Sequence, residues 1–471
     1  MTPPQKWYSE ADVRKIVDKG VAAAIAPLLK KIDKLESEIA ALKKNSSNSS
    51  KPPSSDIVKP PKAGPRPKKG KKRKKGAQAG HKRHERKPIP PEKIDRYEYH
   101  EMKLDPREWR ALDEWETLQQ IEMKVAPVEV IEHWARRYQH KESGEIVTAS
   151  FPKEVKAAGL IGPNLSAFVA YLKGFGHMSY TTIATLLDDV FGIDVSRGLL
   201  AKVITDKVSS ALARPYDELR HRLPAESRLG IDETGHKDDG ARYWTWCFRS
   251  NEYTLFHIAD TRGSEVLFNL LGVAFDGVIT CDYFSAYRKF LGNSSATMQF
   301  CLAHLIRDVK YLADQSDKIV KNWAVKALDD FTDLFRLIHR RDKLTAETFQ
   351  KRLIGFRDRL LKRFRSAPMR QGARDLRERF KKFPDEFFTF MITPGVQPTN
   401  NMTEQAIRYV VIDRKITQGT RGSKGQRWCE RIWTTISTCH AQGLSVYDFL
   451  RNAVLSYFRG DRAPSLVPRA P

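Results

Sequence analysis

The sequence predicts an α/β core with a large helical insertion, preceded by a helical domain, a basic linker and a short N-terminal helix. Between residues 229 and 259, three segments alternate apolar and polar residues or bear turn residues at their ends, as antiparallel strands do. Residues 277–282 form a continuous apolar run that ends in an acid, which indicates a strand buried on both faces. From residue 305 to about residue 390 the pattern is almost wholly helical and rich in Arg and Lys.

The predicted strands cover residues 229–231, 241–248 and 253–259, and residues 237–240 (Lys-Asp-Asp-Gly) have the composition of a hairpin turn. Residues 264–271 predict a short helix capped by Ser264. Residues 297–304 predict a last strand that runs into a helix. Three antiparallel strands, a crossover helix and a buried parallel strand make a sheet of the ribonuclease H type.

Charge and composition limit the classes of molecule that this chain is expected to bind. A chain of 471 residues is long enough for two to four domains, and its net charge of +25 favours nucleic acid as a partner. An anionic membrane is the alternative, but the sequence shows no evident apolar run that would span one and no signal peptide. Five scattered cysteines favour a reducing compartment, so we expect a cytoplasmic, DNA-associated protein.

The first 91 residues are predicted to be a helix followed by a linker. Residues 1–44 contain an a/d heptad seam interrupted by Pro27, and it fits a weak coiled-coil dimer or an amphipathic helix equally well. The seam is formed by Val21, Ile25, Leu28, Ile32, Leu35, Ile39 and Leu42. Residues 45–91 are expected to be disordered. Residues 51–90 carry fifteen Lys and Arg against two acids, a net +13. The alternative is a merely solvated tail. We expect phosphate contacts from the part with the densest positive charge, which is Lys71, Lys72, Arg73, Lys74 and Lys75.

Two further domains are predicted before the sheet. Residues 92–155 are expected to form a small domain, with strand-like alternation at residues 122–125 and 128–134. Residues 156–225 are helical in pattern, and residues 180–204 fit helix, turn, helix with Ser196 as the second N-cap. A DNA-reading motif and two packed helices of an all-α domain both fit this pattern.

Three acids are candidates for a metal site. Asp232 and Asp282 are expected at the ends of neighbouring strands, and Glu404 at the start of a helix that Asn401 or Thr403 could cap. Such a set can hold two Mg²⁺ ions about 3.5–4 Å apart for displacement at phosphorus. Taken singly, Asp232 beside Glu233 also fits a solvated turn, Asp282 a helix N-cap, and Glu404 a residue that interacts with the helix dipole.

Several motifs together resemble those of the IS66-family transposases. They are residues 44–56 after the heptad helix, residues 76–81, Asp232 in Ile-Asp-Glu-Thr, residues 281–287, Cys301-Leu-Ala-His304, residues 401–408 (Asn-Met-Thr-Glu-Gln-Ala-Ile-Arg) and residues 411–415. The resemblance implies a DDE catalytic domain of ribonuclease H-like fold, with Asp232, Asp282 and Glu404 as both the catalytic triad and the Mg²⁺ ligands. Mn²⁺ is the expected substitute.

The chain departs from the family at one place. Many members carry a Cys-x-x-Cys zinc finger after the basic linker, but residues 77–160 contain no cysteine, so no zinc is expected and residues 92–155 would replace that region. His81, His84 and His100 are too sparse to rebuild the site. Cys301-x-x-His304 is half a zinc motif, and we interpret His304 as structural or near the DNA backbone, with an accessory role in the active site as the alternative.

Basic residues after Glu404 are candidate DNA contacts. Arg408 lies one helical turn after Glu404, and with Arg414 and Lys415 it is predicted to contact phosphates. Residues 418–427 suggest a glycine-rich loop that holds phosphate, with Arg421 and Lys424. The loop lacks the spacing of an ATP-binding loop, so we exclude an ATPase. Residues 428–455 are expected to form the closing core helices.

The sequence thus predicts a DNA transposase that cleaves the ends of an insertion sequence in the presence of Mg²⁺ and transfers the strands to target DNA. Its partners would be element ends and target DNA, further copies of itself on DNA, and accessory transposition proteins. Alternatives are an inactive DNA-binding derivative and a nuclease without strand transfer. The core would occupy residues 226–304, the insertion 305–395, the closing helices with the third acid 396–458 and a tail 459–471.

Overall fold

A computed structural model of the chain describes residues 9–10, 27, 31, 89–94, 96–97, 119, 128–370 and 372–468. The seven residues of the heptad seam, residues 45–88 of the linker and residues 122–125 lie outside the described residues. The chain divides into two units, one made of residues 61–133 and the other of residues 1–60 with 134–471. In the first unit, Pro91–Lys93 forms a 3₁₀ turn, and the Gln119 side chain bonds both backbone groups of Ile89.

The second unit begins with a small hairpin. Residues 128–136 form no strand, contrary to the alternation in the sequence; instead β1 (Arg137–Gln139) pairs antiparallel with β2 (Ile146–Thr148). Both strands are fully exposed, so neither faces a core.

A helical region follows, as predicted. Its helices are α1 (Lys153–Ala158), α2 (Pro163–Gly174), α3 (Tyr180–Phe191), α4 (Arg197–Lys202), a π-helical stretch (Val203–Val208), α5 (Ser209–Ala211) and α6 (Ala213–Arg222), with a 3₁₀ turn at Leu223–Ala225. The Ser196 side chain accepts from the Leu199 N–H, so the predicted N-cap is confirmed. The apolar faces of α3 and of α4 with the π-helical stretch are fully buried at Ile183, Leu187, Leu200 and Val203. This burial favours two packed core helices over a DNA-reading motif.

Within the described residues, the segment Lys153–Gly174 is long and apolar enough to cross a membrane, which the sequence analysis overlooked. Core helices of ordinary proteins meet the same criteria. Here the segment is broken at residues 159–162, and its second part, α2, packs against the helix that closes the chain.

A five-stranded mixed sheet forms the centre of this unit. Its strands are β3 (Arg228–Asp238), β4 (Ala241–Arg249), β5 (Thr254–Ala259), β6 (Val278–Cys281) and β7 (Thr297–Phe300), in the order β5-β4-β3-β6-β7. The first three are antiparallel and the last two run parallel to β3. Helices α7 (Glu265–Leu271) and α8 (Ser285–Leu291) connect β5 to β6 and β6 to β7.

Two sequence predictions around β3 need correction. The strand does not end at Ile231 but continues to Asp238, and the turn consists of Asp239 and Gly240, both with positive φ, as a two-residue hairpin requires. Ser264 precedes α7 as predicted, but its side chain forms no capping hydrogen bond.

The region from residue 305 to about residue 390, here called the helical block, is almost wholly helical, as predicted. Its helices are α9 (Leu302–Ala313), α10 (Lys318–Ile338), a 3₁₀ turn (Arg341–Lys343), α11 (Ala346–Arg365), α12 (Ala373–Lys382) and α13 (Thr389–Ile392). Stacked rings of Phe364, Phe380 and Phe387 join them, with centroids 4.0 and 4.4 Å apart. The block also covers β7: the Phe300 N–H donates to Glu386 O, and Thr389 Oγ1 donates to Met298 O.

Three long helices close the unit: α14 (Asn401–Thr417), α15 (Gly422–Gln442) and α16 (Val446–Arg459). Glu430, Thr434 and Thr438 occupy one face of α15 at four-residue spacing. Their side chains accept hydrogen bonds from the outward N–H groups of Ile258, Phe256 and Thr254 on β5, at 2.7, 3.0 and 3.3 Å. A helix therefore satisfies the free edge of the sheet in place of another strand.

Candidate active site

The two predicted aspartates lie side by side. In the parallel ladder, Arg228 is opposite Val278 and Gly230 opposite Thr280, so the same register continued by two residues brings Asp232 opposite Asp282. Asp282 directly follows β6, whereas Asp232 lies within β3, where only β4 still pairs with it. The sequence predicted Asp232 at the end of a strand. It lies instead within β3, just beyond the end of the β3–β6 ladder.

Helix α14 brings Glu404 to the face of the sheet that carries Asp232. Asn400 precedes the helix, and its side-chain amide donates to Ile231 O at 2.8 Å. A Cβ on Gly230 would lie 2.2 Å from Thr403 Oγ1, which shows how closely α14 contacts β3. Neither Asn401 nor Thr403 caps the helix: Asn400 holds the cap position, Asn401 is the first helical residue and Thr403 is buried against the strand.

Side chains on β3 alternate between the two faces of the sheet, and this separates the adjacent acids Asp232 and Glu233. Glu233 is on the opposite face, buried, with Oε1 accepting from Arg262 Nε at 2.7 Å and Oε2 accepting from the Tyr287 hydroxyl. Asp232 accepts the backbone N–H of Glu233 at 2.9 Å and remains partly accessible. The surroundings of Glu233 fit an anchor, and those of Asp232 fit a ligand.

The acids act on one another electrostatically. Burial, with the charges of Glu233, Asp282 and Glu404, raises the pKa of Asp232 well above its ordinary value. Burial and the charge of Glu233 raise the pKa of Asp282 to about 7, although the Phe284 N–H and the charges of Arg262 and Arg379 act to lower it. Ionising both aspartates is therefore unfavourable unless a positive charge compensates them.

Helix α9 and its N-cap residue add three side chains beside Glu404: Cys301, His304 and Arg307. Arg307 Nη2 donates to Glu404 Oε1 at 3.1 Å, and His304 Nδ1 lies 3.7 Å from the same oxygen. Burial and the charge of Arg307 lower the pKa of His304 to about 4, so the ring is neutral. Cys301, His304 and Glu404 each bring a potential metal-ligand atom within 4.8 Å of the other two. Among the described residues, the three carboxylates do not form such a group.

The predicted DNA contacts are in different environments. Lys71 to Lys75 lie outside the described residues. Arg408, Lys415 and Arg421 are exposed, as phosphate contacts must be. Arg414 is half-buried and donates to Thr234 Oγ1 at 3.2 Å, two residues beyond Asp232 on the same face; burial lowers its pKa. Lys424 is exposed and forms an ion pair with Asp206 at 2.8 Å.

The predicted phosphate loop is mostly helix. Because α15 begins at Gly422, residues 422–427 are helical and only residues 418–421 form a loop. The first N–H of that helix, from Gly422, already donates to Asp238 Oδ1 at 2.9 Å. Thr420 also pairs with the end of β3, so the protein's own carboxylate occupies the place expected for phosphate.

Sequence reasoning missed several residues of this site. Asn400 and Gly230 gave no signal, because their contact joins segments far apart in the sequence. Arg307 could have been found, since it lies three residues after His304 and thus on the same side of α9.

Comparison with known proteins identifies the family. A sequence profile described as Transposase IS66 family matches residues 158–427, more than half of the chain. This protein belongs to the IS66 family of transposases. The match spans α2 to α15 and so includes the sheet, all three candidate carboxylates and the helical block between them. Residues 2–87 match a separate profile, described as a family of unknown function (DUF6444).

Two bacterial relatives are similar over the same length. They are the uncharacterized proteins y4hP and y4qI of Sinorhizobium fredii (strain NBRC 101917 / NGR234), each 23% identical over 363 and 367 residues respectively. The alignments cover 69% of this IS66-family chain, and 64% and 65% of the relatives. This chain therefore spans less than two thirds of the length of these relatives.

Proposed function

We propose that this protein is a DNA transposase that cleaves the ends of its insertion sequence and joins them to target DNA by a DDE mechanism. The strongest support is the register of β3 and β6, which brings Asp232 beside Asp282 on the face that α14 covers with Glu404. The order β5-β4-β3-β6-β7, with three antiparallel and two parallel strands, supports a ribonuclease H-like core interrupted after β7 by a helical insertion.

Asp232, Asp282 and Glu404 are the proposed Mg²⁺ ligands. Carboxylates are the hard oxygen donors that Mg²⁺ prefers, and Mn²⁺ shares this preference. The raised pKa values of both aspartates reflect their burial and the neighbouring acids, which the protein's own positive charges offset only in part, and this fits a cation site. Two bound Mg²⁺ ions would supply activation of the attacking oxygen and stabilisation of the leaving oxygen at phosphorus.

Other side chains would orient the acids and the DNA. Arg307 holds Glu404 by a hydrogen bond of 3.1 Å, and Glu233, anchored by Arg262 and Tyr287, fixes the strand at Asp232. Arg408 and Lys415 on α14 and Arg421 just before α15 are exposed, and they are the proposed contacts to phosphates. Together with the basic linker, they favour DNA as the partner. The proposal also includes further copies of this chain and accessory transposition proteins as partners, and the cytoplasm as the site of action.

The test is cleavage of DNA carrying the element ends. Asp232→Asn, Asp282→Asn and Glu404→Gln should each reduce Mg²⁺-dependent cleavage below about a hundredth of the wild-type rate, because each removes a ligand, while DNA binding persists. Asp333→Asn, on the exposed surface of α10, is the matched control. Full cleavage by any one of the three variants would remove that residue from the triad.

Strand transfer distinguishes the remaining functions. If the wild-type protein cleaves but never joins the freed 3′ end to target DNA, it is a nuclease. If it binds element ends but cleaves them with neither Mg²⁺ nor Mn²⁺, it is an inactive DNA-binding derivative.

A further inference from the structure

Cys301, His304 and Glu404 bring three different ligand types to one point. A Cys301 sulfur, a His304 ring nitrogen and a Glu404 carboxylate oxygen all lie within 4.8 Å of one another. Cys301 immediately precedes α9 and His304 lies in its first turn, so a spacing of three residues directs both to the same side. Glu404 comes from the first turn of α14.

The backbone fixes this group from two sides. The Asn400 N–H donates to Cys301 Sγ at 3.2 Å, and the Cys301 N–H donates to Cys281 O at 2.7 Å. The Leu302 N–H donates to Pro398 O at 2.9 Å, which ties the start of α9 to the segment that leads into α14. The two helix starts that supply the ligands are therefore held together before any ion binds.

One ligand atom is buried without a partner. His304 Nδ1 is inaccessible to solvent and has no hydrogen-bond partner among the described residues. Glu404 Oε1, at 3.7 Å, is too distant for a hydrogen bond. A buried polar atom without a hydrogen bond destabilises the fold, and coordination of a cation would offset that cost.

We propose that Cys301, His304 and Glu404 form a binding site for Zn²⁺ or a similar borderline-soft divalent cation, with a fourth position open. One sulfur, one nitrogen and one oxygen are all accepted ligands of Zn²⁺. Tetrahedral coordination at the usual bond lengths sets such atoms roughly 3.5 Å apart, so small side-chain rotations suffice. This differs from the expectation of no zinc, which treated Cys301-x-x-His304 as half a motif; the fold supplies Glu404 as a third ligand.

The sulfur ligand favours Zn²⁺ over Mg²⁺. A thiophilic ion gains from binding the Cys301 sulfur and can displace the thiol proton, whereas Mg²⁺ prefers oxygen. Arg307 also holds Glu404 Oε1, and the ion must share that carboxylate with it. An oxygen-preferring ion gains nothing from the sulfur that would offset these costs.

Glu404 would belong to two sites, and this consequence rests on the proposed function. If Glu404 is the third acid of the triad, a cation held by Cys301 and His304 withdraws it from the Mg²⁺ site. Zn²⁺ should then inhibit Mg²⁺-dependent cleavage, and Cys301→Ser should reduce that inhibition when each protein is compared with its own rate without Zn²⁺.

Binding is tested without DNA, using Co²⁺ as a coloured substitute for Zn²⁺. The purified full-length chain, stripped by a chelator, should show a thiolate-to-cobalt absorption band that saturates at one Co²⁺ per chain and that Zn²⁺ abolishes. Cys301→Ser should lose the band, and His304→Gln should weaken Zn²⁺ binding at least about tenfold. Cys439→Ser, which alters a buried thiol elsewhere in the core, is the matched control and should keep the band.

The result on the wild-type protein decides the proposal even if a variant fails to fold. A chain with intact circular dichroism but no thiolate band would overturn the site, as would a band that survives in Cys301→Ser. Because these measurements do not involve DNA, a failure of the transposase proposal would leave them unaffected. Zn²⁺ binding without inhibition of cleavage would overturn the sharing of Glu404.

Discussion

At the scale of single residues, Asp232 and Glu233 show how position in a strand decides the role of an acid. Both are carboxylates and they are adjacent, but they point to opposite faces of β3. Arg262 and Tyr287 saturate Glu233, whereas Asp232 shares its surroundings with Asp282 and Glu404. The sequence favoured Asp232 through a motif; the alternation of the strand gives the physical reason.

The raised pKa of Asp282 leads to a prediction about stability and pH. The folded protein holds this proton up to a pKa of about 7, whereas an ordinary aspartate releases it near 3.8. Stability should therefore fall as the pH rises from about 4 to 7 and then level off. Asp282→Asn removes this penalty, so its unfolding midpoint at pH 7.5 should exceed that of the wild type by a few degrees, with no gain near pH 4.

Thermal unfolding followed by circular dichroism at both pH values measures the effect. Mg²⁺ should raise the wild-type midpoint at pH 7.5, because it compensates the same charge, but should raise that of Asp282→Asn much less. Asp333→Asn, on an exposed ion pair, should change little at either pH. A variant no more stable than the wild type at pH 7.5 would refute the cause assigned to the pKa.

At the scale of elements, the contact between β3 and α14 depends on a glycine. Gly230 has no side chain, so Thr403 and Asn400 can lie directly against the strand. Asn400 then bonds Ile231 O from the start of α14, one turn before Glu404. The distance between strand and helix, and with it the position of Glu404 relative to Asp232, is set here.

Gly230→Ala should therefore damage catalysis more than folding. The new Cβ would lie 2.2 Å from Thr403 Oγ1 and 2.9 Å from Asn400 Oδ1, so α14 must shift. We expect a loss of about 1–3 kcal/mol in the free energy of unfolding and about a 10²-fold loss of cleavage. Denaturant titration and the cleavage assay measure the two effects.

Gly355→Ala is the matched control, because a Cβ at this position in α11 meets no atom within 4 Å. It should leave cleavage intact and slightly stabilise the protein, since alanine favours helix over glycine. Equal cleavage by both variants would show that the close approach at Gly230 does not position Glu404.

The elements also show how far the sequence could be interpreted. Alternation and apolar runs were enough to predict the strands, the crossover helix and the helical block, because these patterns depend on local burial. The extension of β3 was missed because residues 234–238 are mostly polar. Their partners, Arg414 for Thr234 and Thr420 for His236 and Asp238, come from distant segments.

The candidate site was predictable in part for the same reason. Asp232 and Asp282 followed apolar strands and could be recognised; the link from Glu404 to them required the resemblance to a family. The grouping of Glu404 with Cys301 and His304 depends on two helix starts meeting in space. No periodicity in the sequence reports such a meeting.

At the scale of the whole molecule, charge is distributed unevenly, and this predicts how the proposed DNA binding depends on salt. Residues 51–90 carry a net +13, about half of the total, and all of their charged residues lie outside the described residues. Each phosphate neutralised contributes about −0.9 to the slope of log K against log salt. Replacing the seven Lys and Arg of residues 68–75 by Gln should make that slope shallower by up to about six units.

Fluorescence anisotropy with duplex DNA at several salt concentrations measures the slope. Rearranging the uncharged residues 45–50 provides a control of the same linker with its charge intact. An unchanged slope in the Gln variant would mean that the linker does not contact phosphates, and that the basic residues of the folded part carry the binding.

The covering of both sheet edges has a consequence for assembly. Glu430, Thr434 and Thr438 occupy the N–H groups of β5, and residues of the helical block bond the outer groups of β7. Neither edge offers a free row of backbone groups on which another polypeptide could be added by β-augmentation or aggregate as a cross-β stack. If copies of this chain assemble as proposed, they would not join through an edge of this sheet. They would join through side-chain surfaces, through the exposed hairpin of β1 and β2, or through parts of the chain outside the described residues.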